Sequence, residues 1–186
     1  MPHCGTAFFI TGLIDSELLS DFVSFIKKVP DDASLITVVI QSPGGKVPVS
    51  FAISNIINSL PCKVRTVNIG NVDSAANIVF AAGHERISAE NGIFYFHGVL
   101  KELNGSFNAA DLRRFISEME TERKRMTHYF YERTGKPEAV WRKLMGKGTD
   151  LGAKEALKLN LATRICGDGE IQNILKDGYY AADSKQ

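Results

Sequence analysis

The sequence predicts an α/β layered domain built around a mainly parallel sheet, and three observations carry that prediction. Short apolar runs and stretches with helical periodicity alternate from residue 8 to about residue 96. The run Leu35-Ile36-Thr37-Val38-Val39-Ile40 is hydrophobic without alternation, as a strand covered on both faces by helices requires. The chain also has an ordinary globular composition over a length suited to one domain: 186 residues, 44% apolar and 23% charged. These figures exclude a disordered, collagen-like or disulfide-scaffold protein. Twenty-two basic against 21 acidic side chains give +1, so no global field recruits nucleic acid or an anionic membrane. Cys4, Cys62 and Cys166 form no CxxC pair and fit a reducing compartment better than a disulfide framework or a structural zinc site. No apolar run approaches the ~20 residues that span a bilayer. The start, MPHCGTAFFITG, lacks the basic and apolar regions of a signal peptide, so the expected location is the cytoplasm.

Phe8-Phe9-Ile10 is the first strand, closed by Thr11-Gly12. Asp15 caps a helix carrying Leu18, Leu19, Phe22, Phe25, Ile26 and Val29 on one face, and Pro30-Asp31-Asp32 ends it. The strand 35–40 runs into the turn Ser42-Pro43-Gly44-Gly45. Ala52, Ile53, Ile56, Ile57 and Leu60 mark the next helix, stopped by Pro61. A strand at 64–69, a turn at 70–74 and a short apolar helix at 75–82 follow. Two short strands are expected at 86–88 and 93–96. A polar segment at 100–106 precedes a long helix at 108–133, with Leu112, Phe115, Ile116, Met119, Met126 and Phe130 on one stripe. Thr134-Gly135-Lys136-Pro137 breaks it. A helix at 138–145, a Gly-Lys-Gly-Thr-Asp loop, a helix at 153–159 and a strand at 162–166 complete the prediction, with residues 181–186 expected to fray.

Two of the turns follow buried strands, and in open parallel sheets function collects beyond the strands' carboxyl ends. The paired glycines of Ser42-Pro43-Gly44-Gly45 expose backbone N–H groups able to hold an oxyanion, although a tight turn alone also explains them. Gly70-Asn71-Val72-Asp73-Ser74-Ala75 places Ser74 where a strand bends into a helix, the position of a nucleophile or of a plain N-cap. Asp73 neighbours it, directed away by strand alternation. His97 closes the apolar strand Ile93-Phe94-Tyr95-Phe96, as a base or as a buried structural histidine. Serine, histidine and paired backbone donors together are the parts of an acyl-transfer site. No His, Cys, Asp or Glu spacing suggests a metal, and no cofactor is implied.

With FITGLID, VIQSPGG, GNVDSAANIVFAAG, FYFHG and EALKLNL in this order, the chain resembles the ClpP family, the proteolytic subunits of the Clp protease, over about residues 8–174. The resemblance implies the ClpP/crotonase-like superfold, here a single domain over 1–186. A head is expected at about 7–97 and 135–176, and a projecting handle, strand plus long helix, at about 98–134. It implies Ser74 as nucleophile, His97 as general base, and the backbone N–H groups of Gly45 and Ala75 as oxyanion hole. The family's third catalytic residue, an aspartate before an arginine, falls on Gly148-Thr149. Asp150, two residues on, is the expected orienting carboxylate, or else the cap of the helix near Ala153.

The resemblance also implies a homo-oligomeric ring, two heptameric rings stacking in the family, fed by an ATP-dependent unfoldase. The expected function is that of a serine endopeptidase cleaving peptides or unfolded polypeptides through an acyl-enzyme. The alternatives are a catalytically weakened subunit that serves assembly or peptide binding, and a crotonase-type enzyme acting on acyl-CoA.

Overall fold

In the computed structural model, which describes residues 6–176, the expected alternation is present and two further elements join it. In chain order the elements are β1 (Thr6–Ile10), α1 (Ser16–Ile26), β2 (Leu35–Ser42), α2 (Val47–Ser59), β3 (Lys63–Asp73), α3 (Ala76–Ala82), β4 (Glu85–Ala89) and β5 (Ile93–Phe96). They are followed by α4 (Ala109–Thr134), α5 (Glu138–Lys147), β6 (Thr149–Gly152), α6 (Ala153–Lys158), β7 (Arg164–Cys166) and α7 (Asp168–Lys176). Asp15 caps α1 as expected, its Oδ1 accepting from the N–H groups of Glu17 and Leu18 at 3.0 Å. The expected fraying at 181–186 lies outside the described residues.

The sheet runs β1-β2-β3-β4-β7, with β5 paired to β3 and β6 paired to β5. Every pairing is parallel except β5 with β6. β2 is the buried strand that its sequence announced, with Ile36, Val38, Val39 and Ile40 at most 1% exposed. β3 is longer than expected. Its first half pairs with β4 (Arg65 to Asn68 with Glu85 to Ser88), its second with β5 (Asn71 to Asp73 with Ile93 to Tyr95). The segment read as a turn at 70–74 is therefore strand as far as Asp73, because β5 supplies a partner that local sequence does not reveal. Asn68 holds the handover: its Oδ1 accepts from the Gly70 N–H at 2.9 Å and its Nδ2 donates to the Ile93 carbonyl at 3.0 Å.

Three further expectations are corrected. The Gly-Lys-Gly-Thr-Asp loop turns into β6, which pairs antiparallel with β5. Residues 100–106, expected as the handle strand, form no ladder, since among the described residues no strand lies alongside to take up their backbone groups. The helix α7 extends the chain beyond β7, and its Ile174 packs with Val67, Ile87 and Cys166.

The long helix forms as its sequence predicts, opened by a capping box of Asn108 and Asp111 and closed by Gly135 at φ 71°. Its 26 residues reach about 39 Å. Only its second half is buried, through Met126, Thr127, Phe130 and Thr134. Phe130 lies 5.1 Å from Trp141 and 5.3 Å from Phe96, ring to ring, so α4 braces the end of β5. The first half projects. There Lys101 pairs with Glu118 and lies 4.6 Å over the Phe115 ring, folding the irregular segment back onto the helix.

Candidate active site

Ser74 sits between the end of β3 and the start of α3 with φ 52°, one of two non-glycine residues with positive φ among those described. That conformation costs a serine on the order of 1–3 kcal/mol and persists only where neighbours hold it. They do so here. The Ser74 N–H donates to the Tyr95 carbonyl at 2.8 Å. Asn77, fully buried, donates from Nδ2 to the Tyr95 carbonyl at 2.9 Å and to the Ser74 carbonyl at 3.1 Å. A serine forced into this elbow stands clear of both strand and helix, as a nucleophile must.

The turn after β2 is built against that elbow. Ser42 Oγ donates to the Gly12 carbonyl at 2.6 Å and accepts from the Gly44 N–H at 3.1 Å. Ile14 pins the turn from the other side, its N–H on the Gly44 carbonyl and its carbonyl on the Lys46 N–H, both at 2.8 Å. Gly44 has φ 90°, and a Cβ there would stand 2.6 Å from the Asp73 carbonyl oxygen and 2.8 Å from Ser74 Cβ. Only glycine allows the two turns to approach so closely. Among the hydrogen bonds of the described residues, none uses the N–H of Gly45 or of Ala75. Two backbone donors beside Ser74 are thus unspent, which is what a developing oxyanion needs.

His97 directly follows β5. Its Nδ1 lies 2.7 Å from the Gly98 carbonyl oxygen. A carbonyl can only accept, so Nδ1 bears the hydrogen and Nε2 carries the lone pair, the tautomer of a general base. Among the described residues Ser74 Oγ makes no hydrogen bond, to His97 or to any other group. Asp150 is paired across the strands with Tyr95 and is exposed, and no hydrogen bond or ion pair joins it to His97. Nor does it cap α6, whose N-cap is Gly152. Tyr95 occupies the space beside Gly148: a Cβ at Gly148 would lie 3.2 Å from the Tyr95 hydroxyl, and the Tyr95 and His97 rings are 5.4 Å apart.

Asp73, which precedes Ser74, is half-buried. Burial, then the Asp150 charge, push its carboxyl above the usual range, while the charge of His97 pulls the other way. The sequence reading missed this coupling, and it also missed Asn77 and Tyr95. A polar residue inside the otherwise apolar run Ala75 to Ala82 was the available signal for Asn77. A cavity of about 230 Å³ is lined by Gly98, Val99, Ile116, Met119, Glu120 and Arg123. Among the described residues no group of His, Cys, Asp and Glu could hold a metal, and no helix is long and apolar enough to cross a membrane.

Comparison with known proteins agrees with the fold. The model of the Clp protease family matches residues 6–168. The ATP-dependent Clp protease proteolytic subunit 2 of Treponema denticola is 31% identical over 136 residues, covering 70% of this chain and 65% of that protein. Subunit 3 of Rhizobium meliloti is 30% identical over 163 residues, covering 84% and 81%. Subunit 1 of Protochlamydia amoebophila is 28% identical over 173 residues, covering 87% and 81%. A solved structure of a ClpP1 mutant from Listeria monocytogenes shares the fold, with a TM-score of 0.76 at 23% identity over 87% of this chain and 91% of that one.

Proposed function

Because this chain belongs to the Clp protease family, we propose that it is a serine endopeptidase acting on peptides or unfolded polypeptides through an acyl-enzyme at Ser74. The observation that carries the reading is the strained Ser74 elbow, φ 52°, with the glycine turn packed against it. In this reaction Ser74 Oγ attacks the scissile carbonyl carbon as His97 Nε2 takes its proton. The oxyanion that forms accepts from the Gly45 and Ala75 N–H groups. His97 then gives the proton to the departing amine, and a water repeats the cycle on the acyl-enzyme. Substrate binding must bring Ser74 Oγ and His97 within hydrogen-bond reach, a tightening common between free and substrate-bound sites. The cavity beside Gly98 offers an apolar berth for a substrate side chain. No cofactor enters this scheme.

Treating the protein with a fluorophosphonate and mapping the adduct by mass spectrometry tests the reading. The expected result is one adduct on Ser74, lost in Ser74→Ala, and strongly slowed in His97→Ala. The double variant should lose little more peptidase activity than either single one, since the pair acts as a unit. One observation favours a second reading, a weakened subunit that assembles and binds peptide: His97 has no carboxylate among its hydrogen-bond partners. A protein that assembles but takes no label on Ser74 decides for that second reading.

A further inference from the structure

On the reading of Ser74 and His97 just given, we propose that Asp73 is the positioning residue that supplies negative charge to His97, the role expected of Asp150. Proton transfer from Ser74 creates an imidazolium, and a nearby anion lowers the energy of that state. Two carboxylates share the relevant face of the sheet. Asp73 of β3 pairs with Tyr95 of β5, which pairs with Asp150 of β6, so the three side chains form a row on one side. His97 lies two residues beyond Tyr95 and faces the same way.

The two carboxylates differ in surroundings. Asp150 is exposed, where water and salt screen its charge. Asp73 is half-buried, and its Oδ1 is a buried acceptor with no hydrogen-bond partner among the described residues. An unspent carboxylate oxygen in a poorly screened place acts more strongly on a neighbouring cation. The charges acting on Asp73 are Asp150 from β6 and His97 from just beyond β5, whose ring lies 5.4 Å from that of Tyr95. Tautomer selection and charge supply, joined in one aspartate in a Ser-His-Asp triad, are here divided between the Gly98 carbonyl and Asp73.

The arrangement has a cost with a definite sign. A carboxyl whose folded pKa is raised contributes stability that is fully present below its unfolded pKa and lost as pH rises through the folded one. At neutral pH the Asp73 charge therefore opposes folding. A residue kept only for structure would show the reverse.

The test uses the full chain as wild type, Asp73→Asn and Asp150→Asn. Three quantities are read: melting temperature at pH 7, the rate of Ser74 inactivation by a fluorophosphonate, and the titration of His97 by NMR with labelled histidine. Asp73→Asn is expected to melt at or above the wild-type temperature and to label about 10²-fold more slowly. Its His97 signal should titrate at lower pH than in wild type. The loss stays below the ~10⁴ seen when a triad aspartate is neutralised, because the Gly98 carbonyl still fixes the tautomer. Asp150→Asn should label within about fivefold of wild type, as removal of an exposed charge implies. An unchanged His97 titration in Asp73→Asn, a lowered melting temperature, or a large loss confined to Asp150→Asn overturns the proposal. If wild type takes no label, the peptidase reading fails on its own, and the His97 titration still decides the part concerning Asp73.

Discussion

A single methyl group added at Gly44 meets the Asp73 carbonyl oxygen and the Cβ of Ser74 at once, in a backbone conformation that favours glycine. Gly44→Ala is therefore expected to lower stability by about 2–3 kcal/mol, a sum of strain and displacement. It should abolish labelling of Ser74 even where the variant remains folded; a denaturant titration combined with the fluorophosphonate assay checks both. At this scale much was legible. Ser74, His97 and the paired glycines were marked by their positions at strand ends, and the structure places the serine and the glycine turn together as those positions suggested. Asp73 and Asn77 were not legible, because their importance depends on a neighbouring strand. Asp73 acts on His97 only because β3 and β5 lie side by side. The buried Nδ2 of Asn77 finds its second acceptor on the same strand.

Among the elements, α4 divides into halves with different energetic weight. Phe130 is fully buried between Phe96 and Trp141, and Phe130→Ala should cost about 3–5 kcal/mol in chemical denaturation of the isolated chain. Leu112 and Ile116 on the projecting half are 44% and 58% exposed, and Leu112→Ser or Ile116→Ser should change that stability by no more than about 0.5 kcal/mol. Helical period and caps made α4 readable to within a residue or two. The short strand β6 was unreadable for a complementary reason: Thr149–Gly152 has no apolar alternation, and its extended form comes from pairing with β5. The extension of β3 past Gly70 escaped notice in the same way, since a glycine next to Asn71 signals a turn unless a partner strand is known.

For the whole molecule, four exposed apolar side chains lie along the irregular segment and the projecting half of α4: Leu100 at 79%, Leu103 at 40%, Leu112 and Ile116. Such a surface is expected to meet copies of the same chain in the ring that the family resemblance implies. Sedimentation velocity should show an assembly for wild type and smaller species for a Leu112→Ser/Ile116→Ser double variant that retains its melting temperature. A wild-type monomer at high concentration would reject this surface as the contact.

The short helix behind the elbow sets a schedule for the molecule's own making. The carbonyls at the end of α3 are taken up by arginines from elsewhere: Ala81 and Ala82 by Arg133, and Gly83 by both Arg133 and Arg86. Arg86 in turn is held by the carbonyl of Leu161, 75 residues further along the chain. Closing loops of that length precedes any reward from the contacts they make, so these pieces settle late in folding. A chain emerging from the ribosome thus carries Ser74 and its elbow partners Asn77 and Tyr95 before it carries Arg133 and Leu161, which fasten the far end of α3. The helix behind Ser74 is therefore fastened at its far end only after the partners of the elbow itself are in place.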